Sequence, residues 1–479
     1  VQNGSPVLVV GALVIDLVPA WLKNAVIALF GTGDKVVLVV TLALVLLVGA
    51  AVAGWLEWRR PPIGRILIGI GGAVGVLAAL TRSGAGWLDA VPSVLTAAVG
   101  ILALGSLTRM LRGTVPSRVA PNGSVTRRKF LGATGATAAS GVLAVIVGQL
   151  VASGYRAAST ARAAFHLPSP TVTTPPIPAG ASFDVAGLSP VITPNADFYR
   201  IDTALQIPGI DPASWRLKVT GMVENEFELS FAELLKLPLE ESTTTLTCVS
   251  NEVGGNLISN ATWLGYPIRH LLARAKPTSG ADMVLSKSQD GWTASTPIEA
   301  LTDERNAILA VGMNGQPLPL EHGYPVRMVV PGLYGYVSAT KWVVELDVTR
   351  FDKATSYWTD RGWSQRGPVK LSSRIDVPTA GTQVAAGTVA VAGVAWSQHV
   401  GVNAVQVQLD DGPWQQADLA DAISVDTWRQ WKYAWAATKG THTIRVRATD
   451  AKGLVQTSKV ADVVPNGATG LHEISVTVA

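Results

Sequence analysis

The stretch TTTLTCVSNEVGGN, residues 243–256, holds Cys248, the only cysteine in a chain of 479 residues. A lone cysteine excludes an internal disulfide and any Cys₄ or Cys₂His₂ metal cage. Two readings remain: a small buried hydrophobe, as free cysteines commonly are, or a thiolate with one dedicated task. The sequence on either side bears on the choice. Val249-Ser250-Asn251, the pair Gly254-Gly255, then Asn260-Ala261-Thr262-Trp263-Leu264-Gly265 and the helical Ile268-Arg269-His270-Leu271-Leu272 form one extended pattern.

That pattern resembles the metal-ligand segment of the sulfite oxidase family, in which a single cysteine thiolate binds molybdenum held by a pterin dithiolene. Other segments follow in family order. Thr193-Pro194-Asn195-Ala196-Asp197-Phe198-Tyr199-Arg200 resembles the first cofactor-contacting segment, and Trp215–Gly221 the strand after it. Downstream come Met313-Asn314-Gly315-Gln316-Pro317, then His322-Gly323-Tyr324-Pro325-Val326-Arg327, Pro331-Gly332-Leu333-Tyr334-Gly335 and Lys341-Trp342. The resemblance covers roughly residues 190–350. It implies a molybdenum-molybdopterin oxidoreductase of mixed α+β fold.

The chain before residue 156 is a different polymer. Overall it is 48% hydrophobic and 15% charged, with mean hydropathy +0.31, and the apolar excess sits at the front. Val36–Leu56 is uncharged and long enough to cross a hydrocarbon core of roughly 30 Å. Ile66–Thr81 with its flanks, Ala90–Leu107 and Phe130–Tyr155 are further candidates, and Val7–Phe30 is apolar but interrupted by Asp16, Pro19 and Lys23. Residues 1–155 therefore read as about five transmembrane helices, with some sequence expected to precede Val1. Arg59, Arg60 and Arg65 in one loop, and Arg109, Arg112, Arg118, Arg127, Arg128 and Lys129 before the last span, mark the cytoplasmic side. Everything after Tyr155 is then extracytoplasmic. Thr126-Arg127-Arg128-Lys129-Phe130-Leu131 resembles a twin-arginine export signal, which carries folded proteins and fits a cofactor inserted before export. The expected location is a bacterial plasma membrane.

Residues 156–184 are rich in Ala, Thr, Ser and Pro and read as an extended spacer. Residues 185–368 alternate short strands and helices. Ser230 is a natural N-cap for a helix at Phe231-Ala232-Glu233-Leu234-Leu235. From 369 to 479 the pattern turns to short alternating strands, Thr388–Trp396, Val402–Leu409 and Thr443–Ala448, punctuated by Asp410-Asp411-Gly412-Pro413 and Asp450-Ala451-Lys452-Gly453. That is the pattern of an immunoglobulin-like sandwich without a disulfide. It resembles the family's dimerisation domain, which implies a homodimer.

A soft thiolate suits a soft redox metal, so Cys248 is the expected molybdenum ligand. The resemblance implies that Asn195, Phe198, Tyr199, Ser288, His322, Arg327 and the Ser338-Ala339-Thr340 backbone hold the pterin and its phosphate, with Lys341 as a second cation. Arg327 suits that role because a guanidinium makes paired charge-assisted bonds to phosphate. On the substrate side the chain departs from animal and plant sulfite oxidases. Their arginine five residues past the ligand is Val253 here, their tyrosine is Trp292, and Arg200 and Arg361 remain. Removing cations from a buried anion site costs several kcal/mol for a dianion, so a neutral S- or N-oxide stands beside sulfite as the expected substrate. No histidine lies among the spans, and Cys-x-x-Cys-His is absent. Haem is therefore not predicted in this chain, and electrons would pass to or from an external carrier, a cytochrome or a quinone-linked protein. The net charge of +4 comes partly from cytoplasmic arginines and is no sign of nucleic acid. The rival reading is a non-catalytic cell-surface module derived from the same fold.

Overall fold

The computed structural model describes residues 6–18, 34–81, 87–113, 154–204 and 206–479, with residues 26 and 29. It divides into two compact units. One holds the apolar helices, and the other comprises Ala157–Asp202 and Gly209–Ala479. The twin-arginine segment and the expected span before Tyr155 lie outside the described residues, apart from the last two positions of that span.

In the first unit, three helices among the described residues are long and apolar enough to cross a membrane: Val37–Arg59, Ile63–Leu80 and Val91–Arg109. Leu44, Val45, Leu46 and Leu47 are each more than half exposed, an apolar face that suits a lipid surrounding. The helices approach closely through small residues. A Cβ on Gly72 would stand 2.3 Å from the Ala97 Cβ, too near for any other residue. Their basic ends are tied together, with Arg65 Nε 2.8 Å from Glu57 Oε1 and Arg112 donating to Glu57 O at 3.0 Å. Arg59 and Arg112 also cover the rings of Trp55 and Trp58, an aromatic and cationic belt of the kind found at a membrane surface. Pro6–Leu17 is helical but has only 12 residues.

In the second unit, one mixed and one antiparallel sheet precede a β-sandwich. One sheet is ordered Phe227–Ser230, Arg216–Gly221, Val343–Thr349, Met283–Ser288, Thr293–Pro297. Its first two strands feed a short helix at Phe231–Leu234, closed by a reciprocal capping box. Glu233 N donates to Ser230 Oγ at 3.2 Å, and Ser230 N donates to Glu233 Oε2 at 2.8 Å. The other sheet is ordered Glu240–Thr247, Ile258–Pro267, Ile308–Met313, Gln316–Pro317, with Arg327–Val329 also paired to Ile308–Met313. Thr243, Thr244, Thr245 and Thr247 are all buried, so this threonine-rich strand is enclosed on both faces, where β-branched residues pack well. The sandwich sets Ser372–Val377, Gly387–Trp396, Arg429–Ala437 and Asp418–Leu419 against a five-stranded sheet containing Val402–Leu409, Gly440–Asp450 and His472–Val478. Fully buried Trp431 packs with Val391, Val405 and Val446 in its core, taking the central place without a disulfide.

Two departures from the sequence reading stand out. The proline-rich segment is no free spacer. Residues 157–164 are helical, Arg162 donates to Leu318 O and Pro317 O at 2.7 and 2.9 Å, and Phe165 packs on Phe231. Beyond them, Thr171 N donates to Leu239 O and Glu241 N to Val172 O. Prolines bar a helix interior but tolerate an edge-strand position, and the non-proline residues here supply the pairing. The sandwich, for its part, is welded to the cysteine-bearing sheet. Ile258 shares one buried cluster with Val394, Trp396 and Trp428, and Trp428 N donates to Thr245 Oγ1 at 2.8 Å.

Candidate active site

Cys248 follows directly on the strand Glu240–Thr247, whose last residue pairs with Ile258. The intervening loop is closed at its base by Cys248 N donating to Leu257 O, 2.9 Å, and braced inside by Leu257 N donating to Asn251 Oδ1, 2.8 Å. Gly254 has φ +78°, and a Cβ there would stand 2.3 Å from the His472 ring of the sandwich. The loop is thus fixed from both domains. Cys248 keeps partial exposure, while enclosure by protein pushes its thiol up; Ser250 hydrogen bonds and the Lys341 charge oppose that rise.

Around it the chain gathers the expected residues from distant elements. Phe198 is buried, edge-on to Trp263 and to His322 at 5.5 and 5.4 Å, and stacked on Tyr199. The Tyr199 hydroxyl is driven up by burial and by the nearby Cys248. Asn195 Oδ1 accepts from Asn314 Nδ2 at 2.8 Å. Burial and the surrounding cations push His322 down to about 3, so its ring is neutral at physiological pH. Arg327 opens its strand at 3% exposure, donates to His322 O at 3.2 Å, and lies 5.0 Å over the Trp263 ring. Among the described residues no carboxylate pairs with it, and burial alone draws it down to about 10.

Ser288 and Lys341 come together because Ser288 pairs with Val343. The bend between Lys341 and that strand falls on Trp342, a bulky residue at φ +51°. Such a residue persists there only when its surroundings hold it. Here Trp342 Nε1 donates to Leu320 O, and Trp342 O accepts from Gln289 N. Lys341 Nζ reaches Asp202 Oδ2 at 2.9 Å and Glu321 O at 3.0 Å, and its burial lowers it to about 8. Arg200 Nε meets the same Asp202 oxygen at 3.0 Å.

Other expected residues sit differently. Ser338 and Ala339 N–H groups both donate to Gly335 O, and Thr340 Oγ1 bonds Ser286 Oγ, so that turn is largely satisfied from within. Arg361 is exposed, stacked 3.6 Å over Tyr357 and donating to Tyr357 O. Trp292 is half-buried, its carbonyl accepting from Ser288 N. Val253 turns toward the sandwich, its Cγ2 3.5 Å from the place of a Gly470 Cβ. Sequence reasoning missed Asp202, two residues after Arg200, whose partner Lys341 is 139 positions away. It also missed Tyr334, which lies near enough to Cys248 for the two to interact electrostatically.

Comparison with known proteins identifies the two domains of this unit. Residues 204–358 match the oxidoreductase molybdopterin binding domain, and 372–446 a bacterial Ig domain. Together with the cysteine loop, these define a molybdopterin-dependent oxidoreductase carrying an immunoglobulin-like domain. Rat mitochondrial sulfite oxidase is 32% identical over 48% of this chain and 49% of its own. The catalytic subunit of protein-methionine-sulfoxide reductase from Burkholderia mallei is 31% identical over 49% of this chain and 72% of its own. The chain belongs to the sulfite oxidase family of molybdopterin oxidoreductases. It spans about half the length of the mammalian sulfite oxidases it matches. The sulfane dehydrogenase SoxCD of Paracoccus pantotrophus shares the fold, with TM-score 0.54 and 22% identity over 60% of this chain and 82% of that one.

The residues fit the cofactor. Among the described residues, Ser288 Oγ and His322 Nδ1 are buried with no well-formed hydrogen bond, although the Asp290 carboxylate lies near Ser288 and the Asn195 backbone near His322. Buried polar atoms normally find partners. These two and the unpaired Arg327 guanidinium together present donors and positive charge suited to a pterin and its phosphate.

Proposed function

We propose that this chain is a membrane-anchored molybdenum-pterin oxidoreductase acting by two-electron oxygen-atom transfer on a small neutral S- or N-oxide. The observation that carries the reading is the buried Arg327, which meets no carboxylate among the described residues and binds the carbonyl of His322, a residue whose own buried Nδ1 lacks a well-formed hydrogen bond. A protein that leaves these groups unsatisfied bears a cost of several kcal/mol, and a bound pterin phosphate removes it. When bound, the molybdenum centre supplies the redox chemistry. Cys248 gives it a protein thiolate, Arg327 and Lys341 hold the phosphate, and the Phe198–Tyr199–Trp263 wall keeps water from that flank. Overall, an oxide R₂S=O takes up two electrons and two protons and becomes R₂S and water. The electrons come from a separate carrier, a cytochrome or quinone-linked protein.

Val253 favours the neutral substrate, because the position that carries an arginine in sulfite oxidases is apolar here and faces the sandwich. The 31% identical relative named for methionine-sulfoxide reduction supports the same class. The basic ends of the three apolar helices, gathered around Glu57, support a cytoplasmic location for that end. The catalytic domain then lies outside a bacterial plasma membrane, delivered by the arginine pair Arg127-Arg128, and the sandwich serves homodimer formation. Steady-state kinetics of the molybdenum-loaded protein over sulfite, sulfoxides and N-oxides tests the reaction; the highest kcat/KM on sulfite would overturn the substrate assignment. For export, Arg127→Lys with Arg128→Lys preserves charge yet should abolish cleavage of the domain by protease added outside cells.

A further inference from the structure

The substrate side of the site contains a carboxylate that nothing so far assigns. Asp202 is enclosed, its side chain 7% exposed, and one of its oxygens receives both the Arg200 Nε at 3.0 Å and the Lys341 Nζ at 2.9 Å. Arg200 is the only one of the two with substantial exposure, at 34%, so it is the cation an incoming substrate would meet. A dianion arriving there finds the guanidinium already paired.

A charge inventory makes the consequence definite. Among the described residues, Arg200, Lys341 and Arg327 are the cations of the cluster, and His322 is neutral. Asp202 cancels one of them, and a pterin phosphate of nearly two negative charges cancels the rest. No positive surplus remains for an anionic substrate. Asp290 lies close enough to act on Asp202, and burial raises its carboxyl above the ordinary aspartate range; a second carboxyl there adds no positive charge.

We infer that Asp202 is a specificity-determining residue: by clamping Arg200 and Lys341 from inside the protein, it excludes oxyanions and leaves the site to neutral oxides. The inference rests on the function proposed above and on the expectation, drawn from the family resemblance, that Arg200 faces the substrate. It differs from the Val253 argument, since Val253 marks an arginine that is missing, whereas Asp202 disables one that is present. Charge-assisted hydrogen bonds contribute roughly 1.5–3 kcal/mol, so freeing Arg200 should change anion affinity by about ten- to a hundredfold.

The test is sulfate binding to the molybdenum-loaded full chain by titration calorimetry, which needs no turnover. Asp202→Asn should tighten sulfate binding at least about tenfold, whereas Asp202→Glu should leave it near the native value. Adding Arg200→Gln to Asp202→Asn should remove the gain. In the native background Arg200→Gln should weaken sulfate less than about threefold, because Arg200 is already occupied; this non-additivity is the signature of the clamp. A folded, loaded Asp202→Asn protein with native sulfate affinity would overturn the inference. Should that variant fail to load, a loss of more than about tenfold from Arg200→Gln alone overturns it instead. Sulfite outperforming every neutral oxide in the native enzyme sinks the function proposed above, and it is read from a different measurement.

Discussion

The two rims of the site are built on opposite principles. Around Arg327, among the described residues, the protein leaves a buried cation without a carboxylate and the buried His322 Nδ1 without a well-formed hydrogen bond. Around Arg200 it supplies the counter-ion itself, in Asp202. An unsatisfied rim is strained until a ligand arrives and therefore binds that ligand tightly. A self-satisfied rim gives a charged ligand nothing to gain, so it suits a guest that passes through. Under the proposed function, that difference separates a resident cofactor from a transient, uncharged substrate.

The comparison can be broken most severely at the metal ligand. Cys248→Ser exchanges a soft sulfur for a harder oxygen and is expected to abolish turnover while the circular dichroism spectrum stays native. Turnover at the native rate in a loaded serine variant would dissolve the whole picture. Next comes the unsatisfied rim itself. Arg327→Met removes a buried charge that has no partner acid, so the cofactor-free protein should lose nothing in thermal stability or gain up to roughly 2 kcal/mol. Its molybdenum content, measured by elemental analysis, should fall about ten- to a hundredfold, the loss of one or two charge-assisted bonds. A drop in stability with full molybdenum occupancy would show that Arg327 is a structural residue.

A smaller effect is expected where both domains brace the cysteine loop. Gly254→Ala places a methyl group against the His472 ring in a left-handed backbone conformation, and denaturant unfolding should show a loss of roughly 2–3 kcal/mol. Combining it with His472→Ala should recover about half of that, because only the clash is relieved. The smallest effect serves as the baseline, a satisfied pair far from chemistry. His442 Nδ1 lies 2.9 Å from Asp410 Oδ2, and its other nitrogen meets Thr438 O. The pair raises His442 and lowers Asp410. The histidine contribution is complete below its ordinary value near 6.5 and fades as pH rises through the raised one. The aspartate contribution is lost as pH falls through its lowered value, below about 3.8. At the solvent-screened surface, His442→Gln should cost only ~0.3–0.5 kcal/mol at pH 6 and nothing measurable at pH 9.

Much of this was readable from residue order. The helix capped by Ser230 and strands such as Met283–Ser288 and Val402–Leu409 lie where propensity and pattern put them, since each is a local feature, whereas the segments from Asn195 to Trp342 were legible only through the family resemblance. The pairing of Asp202 with Lys341 was not, because it joins a bend to a residue far along the chain, and neither neighbour's pattern requires it. The proline-rich segment misled for a related reason. Composition reports that it cannot be a helix throughout, but not that Leu239 and Glu241 offer it an edge. The hold of the sandwich on Thr245 is likewise invisible in a strand that reads only as threonine-rich.

The bond from Trp428 N to Thr245 Oγ1 spans 183 positions of sequence, and that distance is also a time. A ribosome adding about 5–20 residues per second finishes the cysteine strand roughly 10–40 s before it makes the residue that secures it. Throughout that interval the loop bearing Cys248 has one of its two walls missing, and Ile258 waits for Trp396 and Trp428. The strand and its brace are thus made at different times, and the order of the chain sets a clock: the wall behind the cysteine strand closes only once Trp428 has been added.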